Sequence, residues 1–241
     1  MDALLLALAL VGAAAAFGVS AAAGFGGSLV LVPVMALVLG SKEGIALAAL
    51  LLAGNNVAKL AAYRHSLPWR RSVLLAVLVA LGAATGASLF TRAPEGVVTT
   101  AVILSFALTF RLERRSETRA TGPGRVHGPL LAWCSGALSG FSGTSGPLKG
   151  VAVRSLRLDR AHTVGCLSLL SLVGDATKAA VFTEAGLLTG DSYRIAVAAL
   201  PLMVVATVIG KRCNQRIGER GYRHLFWGVM LGYTGRLVLS S

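Results

Sequence analysis

Long apolar runs separated by short charged stretches set the pattern along this chain. A membrane-crossing helix needs about 20 mostly apolar residues. Seven runs approach or reach that length: 3–23, 43–63, 72–91, 94–110, 160–183, 192–210 and 221–239. Three shorter apolar pieces, 28–40, 128–139 and 147–153, remain between them. At about 1.5 Å per residue, 12–13 residues reach only about 18–20 Å, too short to span. The first run contains Ala-rich stretches of the kind found at cleavage sites. A secretory signal opens on basic residues, however, whereas this chain opens Met1, Asp2, so the run is expected to be a retained span. The pattern predicts an all-α, polytopic transmembrane helical bundle.

One stretch breaks the pattern. Residues 111–127, RLERRSETRATGPGRVH, carry charge and Gly-Pro-Gly punctuation without apolar periodicity, which reads as a loop. It divides the chain into a first transmembrane repeat (1–110), a basic cytoplasmic linker (111–127) and a second transmembrane repeat (128–241).

Composition removes the other classes. Hydrophobic residues make up 55 % of the chain and charged residues 14 %, against about 25 % charged in soluble domains. A soluble globule, a disordered chain and a coiled coil all need more polar sequence. The 29 glycines suit close-packed membrane helices. Cys134, Cys166 and Cys213 are widely spaced, with neither disulfide nor zinc spacing, and read as small packing residues. No ligand set for a metal, haem or iron–sulfur cluster stands out, and no cofactor is expected.

The net charge of +13 would suggest nucleic acid in a soluble protein. Here its distribution points to a bilayer. With the 111–127 loop placed inside and the chain alternating, sixteen basic residues fall inside and three, Lys42, Arg92 and Arg194, outside. That asymmetry is the positive-inside signature of a multi-pass inner-membrane protein, with the lipid bilayer as partner and no nucleic acid.

The halves resemble each other. Residues 23–27 read AGFGG and residues 139–143 read SGFSG; each follows an apolar run and precedes a short apolar piece. Next come N-N-V-A-K (55–59) and G-D-A-T-K (174–178), setting Asn56 against Asp175 and Lys59 against Lys178 at one offset of 119. Each half crosses an odd number of times, so the second copy is inverted relative to the first, an architecture of secondary transporters. Gly26, Gly27 and Ser28 in one half, and Gly143, Thr144, Ser145 and Gly146 in the other, form the Gly-rich breaks. Helices starting beyond them, at Ser28 and Pro147, would aim free N–H groups and positive dipole ends at a mid-membrane cavity, where an anion fits. The bland alternative is that these glycines only let helices pack closely.

These residues carry a family resemblance. A-G-F-G-G-S-L-V-L-V-P (23–33), its counterpart at 139–150 and the basic linker resemble the TauE/SafE sulfite-exporter-like transporters over nearly the whole chain. The resemblance implies a membrane transporter of sulfite, sulfonates or related organic anions. One departure stands out: the second motif reads G-F-S-G-T-S-G-P-L-K-G, with Thr144, Ser145 and Lys149 where the family carries apolar residues or Gly.

Ionisable residues inside apolar sequence are functional candidates by default. Lys59 and Lys178 occupy matching positions, and Lys149 follows the second break. Each has a plainer alternative. Lys59 and Lys149 lie near basic loops and could reach the cytoplasmic surface. Lys178 has Asp175 at i−3 as a local counter-ion. Asn55 and Asn56 offer donors to a substrate or to a neighbouring helix. The hydroxyls of Ser28, Thr144 and Ser145 can donate to an oxyanion.

One enzymatic reading competes with transport. Gly143-Thr144-Ser145-Gly146 and Ala161-His162-x-x-Gly165 resemble the GxSG and AHxxG signatures of intramembrane serine proteases. His162 is expected at the membrane surface and Ser145 at mid-membrane, about 15 Å apart, whereas a dyad needs hydrogen-bond contact. The expected function is therefore non-enzymatic: transport of a small anion by alternating access, with proton exchange at Asp175 as a candidate coupling step. The alternatives are a general carboxylate or sulfate permease and the protease. A homodimer is carried as a candidate assembly.

Overall fold

The computed structural model describes residues 13–14, 16–17, 27–116, 127–144 and 146–213. Among them every regular element is helical: α1 (Gly27–Leu39), α2 (Ser41–Ala62), α3 (Trp69–Arg92), α4 (Glu95–Ser116), α5 (His127–Ser142), α6 (Gly146–Arg154), α7 (Arg160–Glu184) and α8 (Gly190–Cys213), with a 3-10 turn at Arg64–Ser66. α2, α3 and α7 are long and apolar enough to cross a membrane. α4 and α8 have 22 and 24 residues, about 33 and 36 Å of helix. The expected runs at 43–63, 72–91, 94–110, 160–183 and 192–210 are thus helices. Run 221–239, and run 3–23 apart from four helical residues, lie outside the described residues.

The short pieces are helices too. α1 has 13 residues, α5 has 16 and α6 has 9. α1 meets α2 through a single residue, Gly40, at φ 90°, a left-handed conformation that glycine adopts without penalty. α6 and α7 are joined by a slightly longer turn, where Arg157 has φ 49°. Asp159 then caps α7, accepting from the His162 backbone N–H at 2.8 Å. One expectation needs adjusting: α4 runs on to Ser116, so the first residues of the 111–127 stretch are helical. Arg, Leu and Glu are good helix formers, and they extend the helix although the apolar pattern has ended.

α3 shows what solvent the fold is built for. Its inward face is Leu75, Ala76, Val79, Gly82, Ala83, Gly86, Ala87 and Phe90, recurring every three or four residues. Its outward face carries Val73, Leu74, Val77, Leu81 and Leu89, all exposed. α8 likewise exposes Val197, Leu200, Val204, Val205 and Ile209. Helices with apolar residues on both faces, the larger ones outermost, belong in lipid.

Among the described residues the most extensive helix contact is α3 against α5. Gly82 and Gly86 on α3 lie against the backbone of α5 at Trp133 and Ala137, while Gly136 and Gly140 on α5 lie against α3 at Val79 and Ala83. A Cβ at any of the four would overlap a carbonyl of the partner helix. Two small-xxx-small segments therefore face each other, each supplying the groove the other fills.

Two ends are distinguishable. At one, the α1–α2 and α3–α4 turns meet: Ser41 Oγ and Thr99 Oγ1 are 2.9 Å apart, and Lys42 Nζ donates to Thr91 O at 3.3 Å. At the other, the backbone of Gly165 abuts Ser66 O, and Leu67, Leu156 and Leu158 share an apolar cluster. The loops bearing Arg64, Arg70 and Arg71 and those bearing Arg154 and Arg157 therefore lie together, away from Lys42 and Arg92. Sequence alternation assigned these groups in the same way.

Candidate functional site

α2 and α7 each carry apolar residues towards both ends and polar residues between. In α2, residues Ile45–Leu52 join a cluster with α1, Phe90, Phe182 and α8, and Leu60 packs on the cluster at the basic end. In α7, Cys166–Leu170, Ser168 apart, and Val173 belong to that basic-end cluster, while Phe182 belongs to the other. Phe90 and Phe182 pack there with their rings tilted by 47° and centroids 4.9 Å apart. Asn55, Asn56 and Lys59 from α2, and Asp175 and Lys178 from α7, fall between the two clusters and are buried. The result is a polar layer within an apolar bundle.

The contacts in this layer are specific. Asp175 accepts from Asn56 Nδ2 at Oδ2 (2.7 Å) and pairs with Lys178 Nζ at Oδ1 (2.6 Å). Lys178 Nζ also donates to Ser139 Oγ of α5 at 3.1 Å. Lys149 Nζ, from α6, donates to Ser171 Oγ of α7 at 3.3 Å. Lys59 and Lys149 both lie within electrostatic range of Asp175 and of one another, and Lys149 lies within range of Lys178.

Burial decides between the sequence alternatives for the lysines. Lys59, Lys149 and Lys178 are 1 %, 6 % and 0 % exposed. Neither Lys59 nor Lys149 reaches out to the basic surface; both turn into the bundle. The i, i+3 pair of Asp175 and Lys178 forms as its spacing implies. It is not a closed local pair, because Asn56 and Ser139 extend it to α2 and α5.

The breaks also meet. Ser28 Oγ, in the first turn of α1, lies 3.0 Å from Thr144 Oγ1, just before α6. Their separation of 116 residues is the one that sets 23–27 against 139–143. Ser142 Oγ donates to the Thr144 carbonyl at 3.2 Å and to Leu138 O at 2.8 Å, which fixes the end of α5. Gly143 has φ 80°, and a Cβ there would press within 3.0–3.2 Å of Val32 and Ile45. The second break thus nests against α1 and α2 of the first half. Helices start at Gly27 and Gly146, each one residue before the expected position. Gly26 and Ser145 lie outside the described residues.

Sequence reasoning did not single out Ser139, the Lys178 acceptor. Its signal was available: it opens the S-G-F-S-G motif at the position Ala23 holds in the other copy. His162, the histidine of the protease comparison, sits in the first turn of α7 with its Nδ1 2.7 Å from Asp159 Oδ2. Both side chains of that pair are well exposed.

Long apolar helices, an apolar exterior and an ionic layer buried at mid-helix define a class: an all-α membrane protein with a charged interior. The family model for the sulfite exporter TauE/SafE matches residues 8–237, and the chain belongs to that family of membrane transporters. No curated protein and no solved structure matches it.

Proposed function

We propose that the chain is a multi-pass inner-membrane transporter moving a small oxyanion, sulfite or a sulfonate, by alternating access between two inverted repeats. The observation that carries this reading is the buried set of three lysines around one aspartate. Ionic groups at this depth are tolerated only when paired or functional. Asp175 offsets one positive charge, and a bound anion offsets part of the remainder. Lys59, Lys149 and Lys178 supply its counter-charge, and Asn55 and Asn56 supply polar contacts from α2. Ser28 and Thr144, with the backbone at Gly27, Gly143 and Gly146, line the breaks through which it passes. Gly26 and Ser145 are proposed to bind it from their places in the two motifs.

The helix arrangement supports the repeat reading. α2 packs on α7, α1 on α2 as α6 on α7, and α3 on α7 as α8 on α2. Each relation maps onto another when the halves are exchanged. In this scheme proton exchange at Asp175 links flux to the proton gradient.

Uptake into proteoliposomes tests the reading, using labelled sulfite, sulfate, sulfonates and carboxylates under imposed pH gradients. Saturable flux of a sulfur oxyanion, faster with a proton gradient, is expected. Absence of flux for every anion in the panel would overturn it.

A further inference from the structure

Among the described residues only one branch of the Asn56 amide has a partner. Asp175 already receives Lys178 at one carboxylate oxygen, and its other oxygen lies 2.7 Å from the Asn56 side chain. A carboxylate oxygen accepts, so the Asn56 nitrogen faces it, and the orientation of the amide follows from the network. The other branch, Oδ1, is then an acceptor. It is buried and receives no hydrogen bond among the described residues, although Asn56 as a whole is only 2 % exposed. A buried acceptor without a donor loses its hydration uncompensated, so such an atom marks a place for a donor that the described residues do not supply.

The surroundings select among donors. Lys59 lies three positions further along α2, on the same helix face as Asn56, and is itself buried. Lys178 lies across Asp175, and Lys149 is within electrostatic range of the same carboxylate. A cationic donor entering among three lysines would be repelled. An oxyanion that retains one acidic O–H satisfies both demands: its bare oxygens accept from the lysines, and its hydroxyl donates to Oδ1.

We infer that Asn56 Oδ1 reads the proton on the substrate. The site then takes an oxyanion carrying an O–H, such as hydrogen sulfite, over proton-free anions of similar shape such as sulfate or a sulfonate. This rests on the anion site proposed above and makes its substrate class narrower. A group that hydrogen-bonds a substrate hydroxyl rejects the analogue lacking it, because its own polar atom is then left unpaired.

Matched anions test this on the purified full-length chain in lipid nanodiscs. On the mildly acidic side of neutrality, methylphosphonate and methanesulfonate are monoanions of the same shape and only the first retains an O–H. Sulfite, then mostly hydrogen sulfite, and sulfate make a second pair that differs also in charge and oxygen count. Calorimetric titration of wild type is expected to favour the O–H-bearing member of each pair by about tenfold. In Asn56→Ala the preference should fall towards one, through weaker binding of that member alone. Equal binding of both members by wild type would overturn the inference and leave the anion site standing, with water as the donor to Oδ1. A preference that survives in Asn56→Ala would also overturn it. Failure of all four anions to bind wild type would remove the anion site and the inference together. Asn56→Leu, which keeps the volume and removes the amide, carries the same comparison where Asn56→Ala does not fold.

Discussion

Asn56 and Asp175 lie 119 positions apart in the chain and 2.7 Å apart in the fold. The same offset sets N-N-V-A-K against G-D-A-T-K. In the proposed inverted repeat, residues at equivalent positions of the two halves touch only near the axis that relates them. An asparagine facing an aspartate there pairs a donor with an acceptor, where two aspartates would repel. Ser28 and Thr144 form a second such contact, at the separation of the Gly-rich motifs.

The first prediction concerns the charge at this junction. Asp175 is shared by Asn56 and Lys178 and lies within electrostatic range of Lys59 and Lys149. Removing one partner of a buried pair strands the other, at about 3–5 kcal/mol. Asp175→Leu is therefore expected to lower the thermal midpoint of the detergent-solubilised protein sharply. Asp175→Leu combined with Lys178→Met should recover a substantial part of that loss, because the stranded ammonium is gone as well. A double variant no more stable than the single one would show that the pair is not the source of the cost.

Lysine substitutions should separate interior from surface charge. Lys149→Met and Lys178→Met each remove a buried ammonium, whereas Arg70→Ala removes an exposed charge. A hydrogen bond to a charged group contributes about 1.5–3 kcal/mol, so anion affinity is expected to fall about 10–100-fold in the first two. Arg70→Ala should leave it within about twofold, in keeping with the small worth of exposed charges. Equilibrium binding in nanodiscs measures all three, and equal losses would place the anion elsewhere.

The α3–α5 seam offers a test of the fold that is independent of the site. A Cβ at Gly86 would overlap Ala137 O, while Gly96 in α4 has open space around its Cβ position. Gly86→Ala is expected to destabilise by about 1–3 kcal/mol through overpacking. Gly96→Ala should be neutral or slightly stabilising, by up to about 1 kcal/mol, since alanine is the better helix former. Thermal unfolding of the two proteins side by side checks the contrast.

This seam also shows where sequence reading stops. Apolar runs revealed α2, α3, α4, α7 and α8, and the Gly-rich motifs marked the starts of α1 and α6 within a residue. The i, i+3 spacing announced Asp175 and Lys178. Which helices meet is another matter: Gly82, Gly86, Gly136 and Gly140 stand among 29 glycines, and small-xxx-small spacing does not name its partner. The direction of Lys59 was equally hidden. Four or five residues from a basic loop, a lysine can reach out or turn in, and only the neighbours brought by α6 and α7 settle the choice. Ser139 escaped notice because its role depends on Lys178, a residue 39 positions away. Helix α4 outran its apolar pattern for a simpler reason, since helix propensity and hydrophobicity are separate properties of Arg, Leu and Glu.

The contact between the breaks carries the last prediction. Ser28 and Thr144 are 3.0 Å apart and belong to the two halves, and Thr144 is fully buried. If alternating access moves one half against the other, this hydrogen bond forms in one state and opens in the other. Ser28→Ala and Thr144→Val each remove it with little change in volume. Each is expected to cost about 1 kcal/mol of the state described here and to alter the transport rate in the same direction. The double variant should then resemble either single one, with a coupling energy of about 0.5–1.5 kcal/mol in a double-mutant cycle on the thermal midpoint. Additive effects would mean that the hydroxyls act separately, and the breaks would then not report on one another.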